Sequence, residues 1–369
     1  MIEAPTSTVL PGLWENHAHP NCDNSIYYGD RMGRLWMAYG ITTLRDMGDN
    51  AYRAVEEKES FANGAAIGPR LFATGEAIDG ERTYYPMMIP TTSEAQLQRE
   101  FERLHALDFD FMKLYVRLPY NWMVEGNKYA HEVMGVQTAS HYLLPAVALG
   151  NDGMSHLSAT ARTGWAYSRS LTGFSYSDVR QLEAESGMWT TSTLVSQDII
   201  ANWPGVVGDP RYNIAPPWET NRLIQSLSAA VKTPQTANEE RVKREESTVQ
   251  DVIERKGIFI GGTDSPLELP SISLDLNLRS QVRYGLAPWQ ALETVTSTAA
   301  EAAGVEKDLG TLDRAKLADL ILVDGDPLTD IAALIKVQCV MKNGHIRSVE
   351  EIAGSFAHLD IGNNICPAK

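Results

Sequence analysis

Cysteine is nearly absent from this chain: Cys22, Cys339 and Cys366 are the three among 369 residues. Their spacing matches no metal finger and leaves an odd thiol, so a reducing or indifferent compartment is expected. Long apolar runs are missing too, and without about 18 consecutive apolar residues no membrane span is expected. The first residues, Met1-Ile2-Glu3-Ala4-Pro5, lack the basic and apolar regions of a signal peptide, which points to the cytoplasm. Basic residues are outnumbered, 32 against 47 acidic, for a net charge of −15. A nucleic-acid backbone or an anionic membrane surface would be repelled, so neither is expected as a partner. Histidine is also scarce, with eight in the chain, and this makes its placement informative.

What is present suits a soluble globular protein: 43% hydrophobic and 21% charged residues. Short β-rich runs alternate with helical patterns, the signature of βα units around a parallel sheet. Eight strands are predicted at Leu13–His19, Ile41–Asp46, Arg70–Ala77, Phe109–Val116, Val136–Tyr142, Gly153–Ser158, Met188–Val195 and Phe259–Asp264. Helices fall between most of them, at Thr92–Leu107, Tyr120–Met134, Ser177–Ser186 and Asn238–Arg255. A closed (β/α)₈ TIM barrel, class α/β, is the economical architecture, and the length accommodates it. The connection from Ser196 to Thr236 is rich in proline and tryptophan, including Trp203 and Trp218. It reads either as a lid over the barrel mouth or as a packing excursion.

The most informative segment is Val9-Leu10-Pro11-Gly12-Leu13-Trp14-Glu15-Asn16-His17-Ala18-His19-Pro20. On a strand, positions i and i+2 point the same way, so His17 and His19 present both imidazoles to one point. Paired imidazoles suit a borderline metal such as Zn²⁺. Chance would place a His-x-His here on the order of 0.2 times. Period two likewise sets Phe109, Phe111, Lys113 and Tyr115 on one face. A lysine beside phenylalanines needs a partner if that face is interior, or its head must snorkel out at the strand end. His141 and His156 close predicted strands five and six, and Asp264 closes strand eight in Ile260-Gly261-Gly262-Thr263-Asp264. All lie at C-terminal strand ends, where barrels build active sites.

Taken in order, these segments resemble the metal-dependent amidohydrolase superfamily. Pro11-Gly12-Leu13 leading to His17-Ala18-His19 resembles its opening. Gly40-Ile41-Thr42-Thr43-Leu44-Arg45-Asp46, Gly68-Pro69-Arg70-Leu71, Gly262-Thr263-Asp264, Ala318-Asp319-Leu320-Ile321, Gly325-Asp326-Pro327-Leu328 and Val340-Met341-Lys342-Asn343-Gly344 continue the series. Thr74-Gly75-Glu76-Ala77-Ile78-Asp79-Gly80 and Lys113-Leu114-Tyr115-Val116-Arg117-Leu118-Pro119 are most similar to an imidazolonepropionase- or prolidase-like branch whose members often carry an N-terminal β-propeller.

The resemblance implies a metal-dependent hydrolase barrel over residues 8–312. Residues 313–369 would form the C-terminal part of a small β-sandwich, from the runs Ala318–Val323 and Val337–Met341, and a tail. With ten residues before the Pro-Gly-Leu motif, that sandwich is expected to be incomplete. The resemblance also implies two divalent ions, zinc by donor type, held by His17, His19, Lys113, His141, His156 and Asp264. Lys113 would be carboxylated by CO₂ and bridge the two. Many relatives carry Glu-His at the sixth strand, where this chain has Ser155-His156. A hydroxide bridging the metals would attack a carbonyl, with Asp264 taking its proton and passing it to the leaving nitrogen.

The expected substrate is a small molecule or short peptide with an amide, peptide or lactam-type bond. Tyr115 and Arg117 are candidates for orienting it, or else a rim tyrosine and a solvated arginine; Arg162 and Trp165 are weaker candidates. Alternatives are a one-metal deaminase, an ester or phosphotriester hydrolase of the same superfamily, or a degenerate non-catalytic barrel. No carboxylate follows His141 in Tyr142-Leu143-Leu144-Pro145, which counts against the deaminase. Homo-oligomerisation is left open.

Overall fold

The computed structural model describes residues 7–20, 30–141, 146–157, 175–196, 199–200, 205–232, 236–266, 270–359 and 366. Cys22, Arg162, Trp165 and Trp203 lie outside them. The strands are, in chain order, β1 (Ser7–Pro11), β2 (Leu13–Ala18), β3 (Ile41–Asp46), β4 (Arg70–Phe72), β5 (Ile78–Gly80), β6 (Ile89–Thr91) and β7 (Phe111–Lys113). They continue with β8 (Gln137–Ser140), β9 (Gly153–Ser155), β10 (Trp189–Ser192), β11 (Ile258–Gly261), β12 (Leu320–Asp324), β13 (Val337–Lys342) and β14 (His345–Ser348).

Each of the eight predicted barrel strands has a counterpart, and these fall into two parallel sheets, β2-β3-β4 and β7 through β11 in sequential order. Parallel neighbours need crossovers, and helices Glu94–Ala106, Tyr120–Tyr129, Ser177–Glu185 and Thr236–Glu254 supply them near the predicted positions. The sheets are hydrogen-bonded to each other at both edges. On one side Asp264 N donates to His17 O and His19 N to Ser265 O, each at 2.7 Å. On the other, Asp110 N donates to Ala73 O at 2.9 Å.

β3 shows how the layers are specified. All six of its residues are buried. Ile41 and Leu44 join the apolar layer shared with the surrounding helices. Arg45 is held by aromatic faces, with its guanidinium 5.0 Å from the Phe111 ring centroid and 4.3 Å from that of Trp189. Such faces attract a cation that burial deprives of water. Phe111 and Trp189 pack with Trp14 in a separate inner cluster.

β7 is shorter than the predicted Phe109–Val116. Phe109 belongs to the outer layer with Leu104, not to the inner face of Phe111, because the pleat begins only at Phe111. The close approach of its ring explains Gly75, where a Cβ would come within 2.8 Å and φ is +68°.

The C-terminal strands form an antiparallel sheet in the order β1-β12-β13-β14. β1 pairs along its whole length with β12, from Ser7 opposite Asp324 to Pro11 opposite Leu320. The N-terminal residues, expected to be too few for the partner strands of a sandwich, thus supply one strand to this sheet. That strand of five residues leads through Gly12 into β2. Cys339 and Cys366 pair as a disulfide with Cα atoms 5.7 Å apart, a pairing not foreseen from their spacing.

Of the long connection after β10, Pro210–Ile214 is a 3₁₀ turn and Pro217–Lys232 a helix. Arg211 donates to Asp209, to Ala38 O and to Ile335 O, and its guanidinium lies 3.8 Å from the Tyr39 ring centroid. Arg31 donates to Ile214 O and Ala215 O. The Asp209–Ala215 part therefore packs on helix Arg31–Ala38 and the small sheet, as a packing excursion. Trp218 is exposed on its helix.

Candidate metal centre

The strand ends bring their polar side chains together. His17 is fully buried on β2, with Nε2 3.2 Å from Asp264 Oδ1. His19 Nε2 is also 3.2 Å from Asp264 Oδ1, and His156 Nε2 is 3.7 Å from Asp264 Oδ2. The ring of His17 lies 4.6 Å from that of His156 and 6.5 Å from that of His141, and His141 and His156 are 4.7 Å apart. Two groups of ligand atoms, His17–His141–His156 and His17–His19–Asp264, are each mutually within 4.8 Å, sharing His17. Lys113, buried on β7, donates to Ser155 Oγ, so the serine that departs from the family's Glu-His meets the lysine.

Electrostatics leave these groups ready to bind a cation. Burial pushes His17 and His141 well below the usual histidine range and His156 down to about 4, so the three are neutral imidazoles. Burial would raise Asp264, but hydrogen bonds from His17 and His19 outweigh it and hold the carboxylate ionised. For His19 burial is again outweighed, by the hydrogen bond and charge of Asp264, and its pKa is raised. Burial lowers Lys113 to about 7. His156 and Asp264 sit at φ +65° and +64°, a left-handed backbone that costs a residue with a Cβ.

The outer supports were not foreseen. Glu15, fully buried, accepts from His17 N (3.0 Å), Thr263 N (2.9 Å) and Thr263 Oγ1 (2.8 Å), tying β2 to the segment that carries Asp264. Its place two residues before His17, on the same face, was the available signal. His19 Nδ1 lies 3.0 Å from Gly48 O, whose own N–H donates to Asp46 Oδ1 at 2.9 Å. His156 Nδ1 lies 3.1 Å from Thr193 Oγ1, and His141 Nδ1 lies 3.2 Å from Tyr115 Oη. Tyr115 thus reaches the cluster. Arg117 turns away, its Nη1 donating to Arg82 O (3.1 Å) and Thr83 O (2.5 Å).

The amidohydrolase family matches residues 195–347, a stretch holding Asp264 and the strands from β11 to β14. Over that stretch the chain carries an amidohydrolase-family domain. At the level of that family it is a hydrolase acting on carbon–nitrogen bonds. Among solved structures it is similar to a Xaa-Pro dipeptidase with bound methionine (18% identity, 94% of this chain and 91% of that one, TM-score 0.68). It is also similar to phenylurea hydrolase B (16%, 93% and 85%, 0.70) and to molinate hydrolase (17%, 94% and 84%, 0.66). At such identities these likenesses show a shared TIM-barrel-like α/β fold. No curated protein matches the chain.

Proposed function

We propose that this amidohydrolase cleaves an amide, peptide or lactam-type bond at a centre of two divalent metal ions, and that its two edge-bonded parallel sheets act as one eight-stranded barrel around it. The observation that carries this reading is His17. Its ring is wholly buried between two groups of potential ligands; Nε2 faces Asp264 Oδ1 at 3.2 Å, and Nδ1 has no hydrogen-bond partner among the described residues. A buried polar atom without a partner costs about 1–3 kcal/mol, which a metal bond would remove. The donors, imidazole nitrogen and carboxylate oxygen, suit zinc.

His17, His19 and Asp264 would hold one ion and His141 and His156 the other. Lys113, a desolvated amine at this junction, would bridge them as its carbamate. Such ions supply Lewis acidity for a carbonyl and acidify water. The chain's own residues do the rest. Asp264, ionised and beside both histidines of β2, accepts a proton from the attacking water and delivers it to the leaving nitrogen. Glu15 and Thr263 keep its segment against β2. Tyr115, whose hydroxyl lies 3.2 Å from His141 Nδ1 at the edge of the cluster, would donate to the substrate carbonyl.

Metal analysis after dialysis tests this reading. About two ions per chain are expected, with Lys113→Ala losing most of them and a short carboxylic acid restoring part. Full occupancy of that variant without added acid would remove Lys113 from the centre, and no bound metal in the wild type would overturn the reading. A hydrolysis screen over acyl dipeptides, lactams, aryl esters and phosphotriesters then separates carbon–nitrogen cleavage from its alternatives.

A further inference from the structure

A cavity of about 260 Å³ opens beside the ligand cluster, with His19, His141, His156 and Asp264 at one end. Its opposite wall comes from the segment between β5 and β6, whose Tyr84-Tyr85-Pro86-Met87-Met88 is apolar yet faces outward: Tyr84 is 46%, Tyr85 40% and Met87 42% exposed. Large apolar side chains left to water beside a polar cluster call for an occupant.

The wall is also built to stay in place. Asp79, fully buried, accepts from Tyr84 N (2.7 Å) and Arg117 N (2.6 Å). Arg117 in turn donates to the carbonyls of Arg82 and Thr83 and lies 5.0 Å from the Tyr84 ring centroid. Gly80 lets the backbone of Arg117 approach where a Cβ would meet its carbonyl at 2.2 Å. Tyr84, Tyr85 and Tyr115 then form a triangle of rings, with centroids 4.9, 5.8 and 6.2 Å apart. Since the Tyr115 hydroxyl meets His141, aromatic surface continues from the rim to the cluster. Glu76, the acidic side chain on this wall, is paired with Arg103 at 2.8 Å.

Resting on the hydrolase reading, we infer that Tyr85, Tyr115 and Met87 form a subsite for an aromatic or bulky apolar group next to the scissile carbon–nitrogen bond. Ring edges and faces and a polarizable thioether favour a planar apolar guest. Arg117, committed to holding the wall, acts as a positioning residue and not as a clamp for a substrate carboxylate.

Two measurements on the metal-loaded protein test it. The first is ammonia release from phenylacetamide against acetamide. The second is calorimetric binding of 1-phenylpropan-2-one against butanone, ketones that cannot be hydrolysed. The aromatic member of each pair should be favoured at least about tenfold, in kcat/KM and in affinity. Tyr85→Ala should bring both ratios to within about threefold, while Tyr85→Phe restores them. Equal ratios in the wild type, or a preference untouched by Tyr85→Ala, would overturn the subsite. If neither amide is cleaved, the choice of these probes as substrates falls, and the ketone pair still decides the subsite.

Discussion

The strand ends around His17 and the antiparallel sheet β1-β12-β13-β14 treat buried polarity in opposite ways. In the sheet, Ile321, Val323, Val337 and Val340 are buried in an apolar layer, and Lys342 and Asp319 beside it find partners. Lys342 Nζ donates to Phe61 O and Gly68 O, and Asp319 accepts from Asn343 N. Around His17, imidazoles and a lysine are buried among one another, and two residues with a Cβ hold left-handed backbone. The first region contributes stability; the second holds strained and under-partnered groups that the rest of the fold must carry. Substitutions in the two should therefore move different observables.

The sharpest break is His17→Ala. Loss of the residue shared by both ligand groups should abolish most metal binding and reduce turnover by about 10³-fold or more. The metal-free variant should nonetheless melt close to the metal-free wild type, since a buried ring with one unpartnered nitrogen is gone. A large drop in the melting temperature of the metal-free protein would mean that His17 supports the fold instead.

Asp264→Asn comes next. It keeps shape and a carbonyl oxygen but removes the proton acceptor, so kcat should fall by roughly 10²-fold while metal content changes little. In the wild type the carboxylate is held well below 3.8, so it is ready at every pH above about that value. Activity lost between pH 7 and 5 should then be unaltered in kind by this variant. An unchanged kcat would leave Asp264 as a ligand only.

Glu15→Gln should act more gently, weakening metal affinity by about 10-fold through the loosened link between His17 and Thr263. Unchanged affinity in metal titrations would reduce Glu15 to a packing role.

These three residues also mark how far the chain could be read before its structure. His17 and His19 were legible because a two-residue period makes their direction a local property. Lys113, His141, His156 and Asp264 were legible as strand-end residues in a family order. Glu15 was not, although it stands in the same motif, because its partner Thr263 is 248 residues away and only tertiary structure brings them together. The same non-local pairing hid β1, whose partner β12 begins at Leu320. The wall at Tyr84 and Tyr85 was invisible for a different reason: its irregular backbone has no period to read, and hydrogen bonds to Asp79 shape it. Arg117 was read by charge alone, while its carbonyl partners are set by that loop.

On the other side of the comparison, Val340→Ala should cost about 2 kcal/mol by leaving a cavity in the buried face of β13. The melting temperature should fall, with kcat/KM unchanged within about twofold. A parallel loss of metal would show that the sheet and the centre are one cooperative unit and would erase the distinction.

The smallest effect is expected at Lys342, and it depends on pH. Burial lowers its pKa from 10.5 to about 8, so between these values the unfolded chain holds a proton that the folded one has released. Stability from this group therefore rises as pH increases through that window, by roughly 1–2 kcal/mol after allowing for partial solvent access. Below pH 8 both states are protonated and the gain is absent. Lys342→Met keeps the apolar stem, loses the donors to Phe61 O and Gly68 O, and cannot titrate. It should differ from the wild type by about 1 kcal/mol at pH 7, with the gap widening towards pH 10. Denaturant midpoints measured across that range give the sign directly. A gap that narrows with rising pH would mean the ammonium itself, held by those two carbonyls, is the stabilising form, and the sheet would then share with the His17 cluster a buried charge that it keeps.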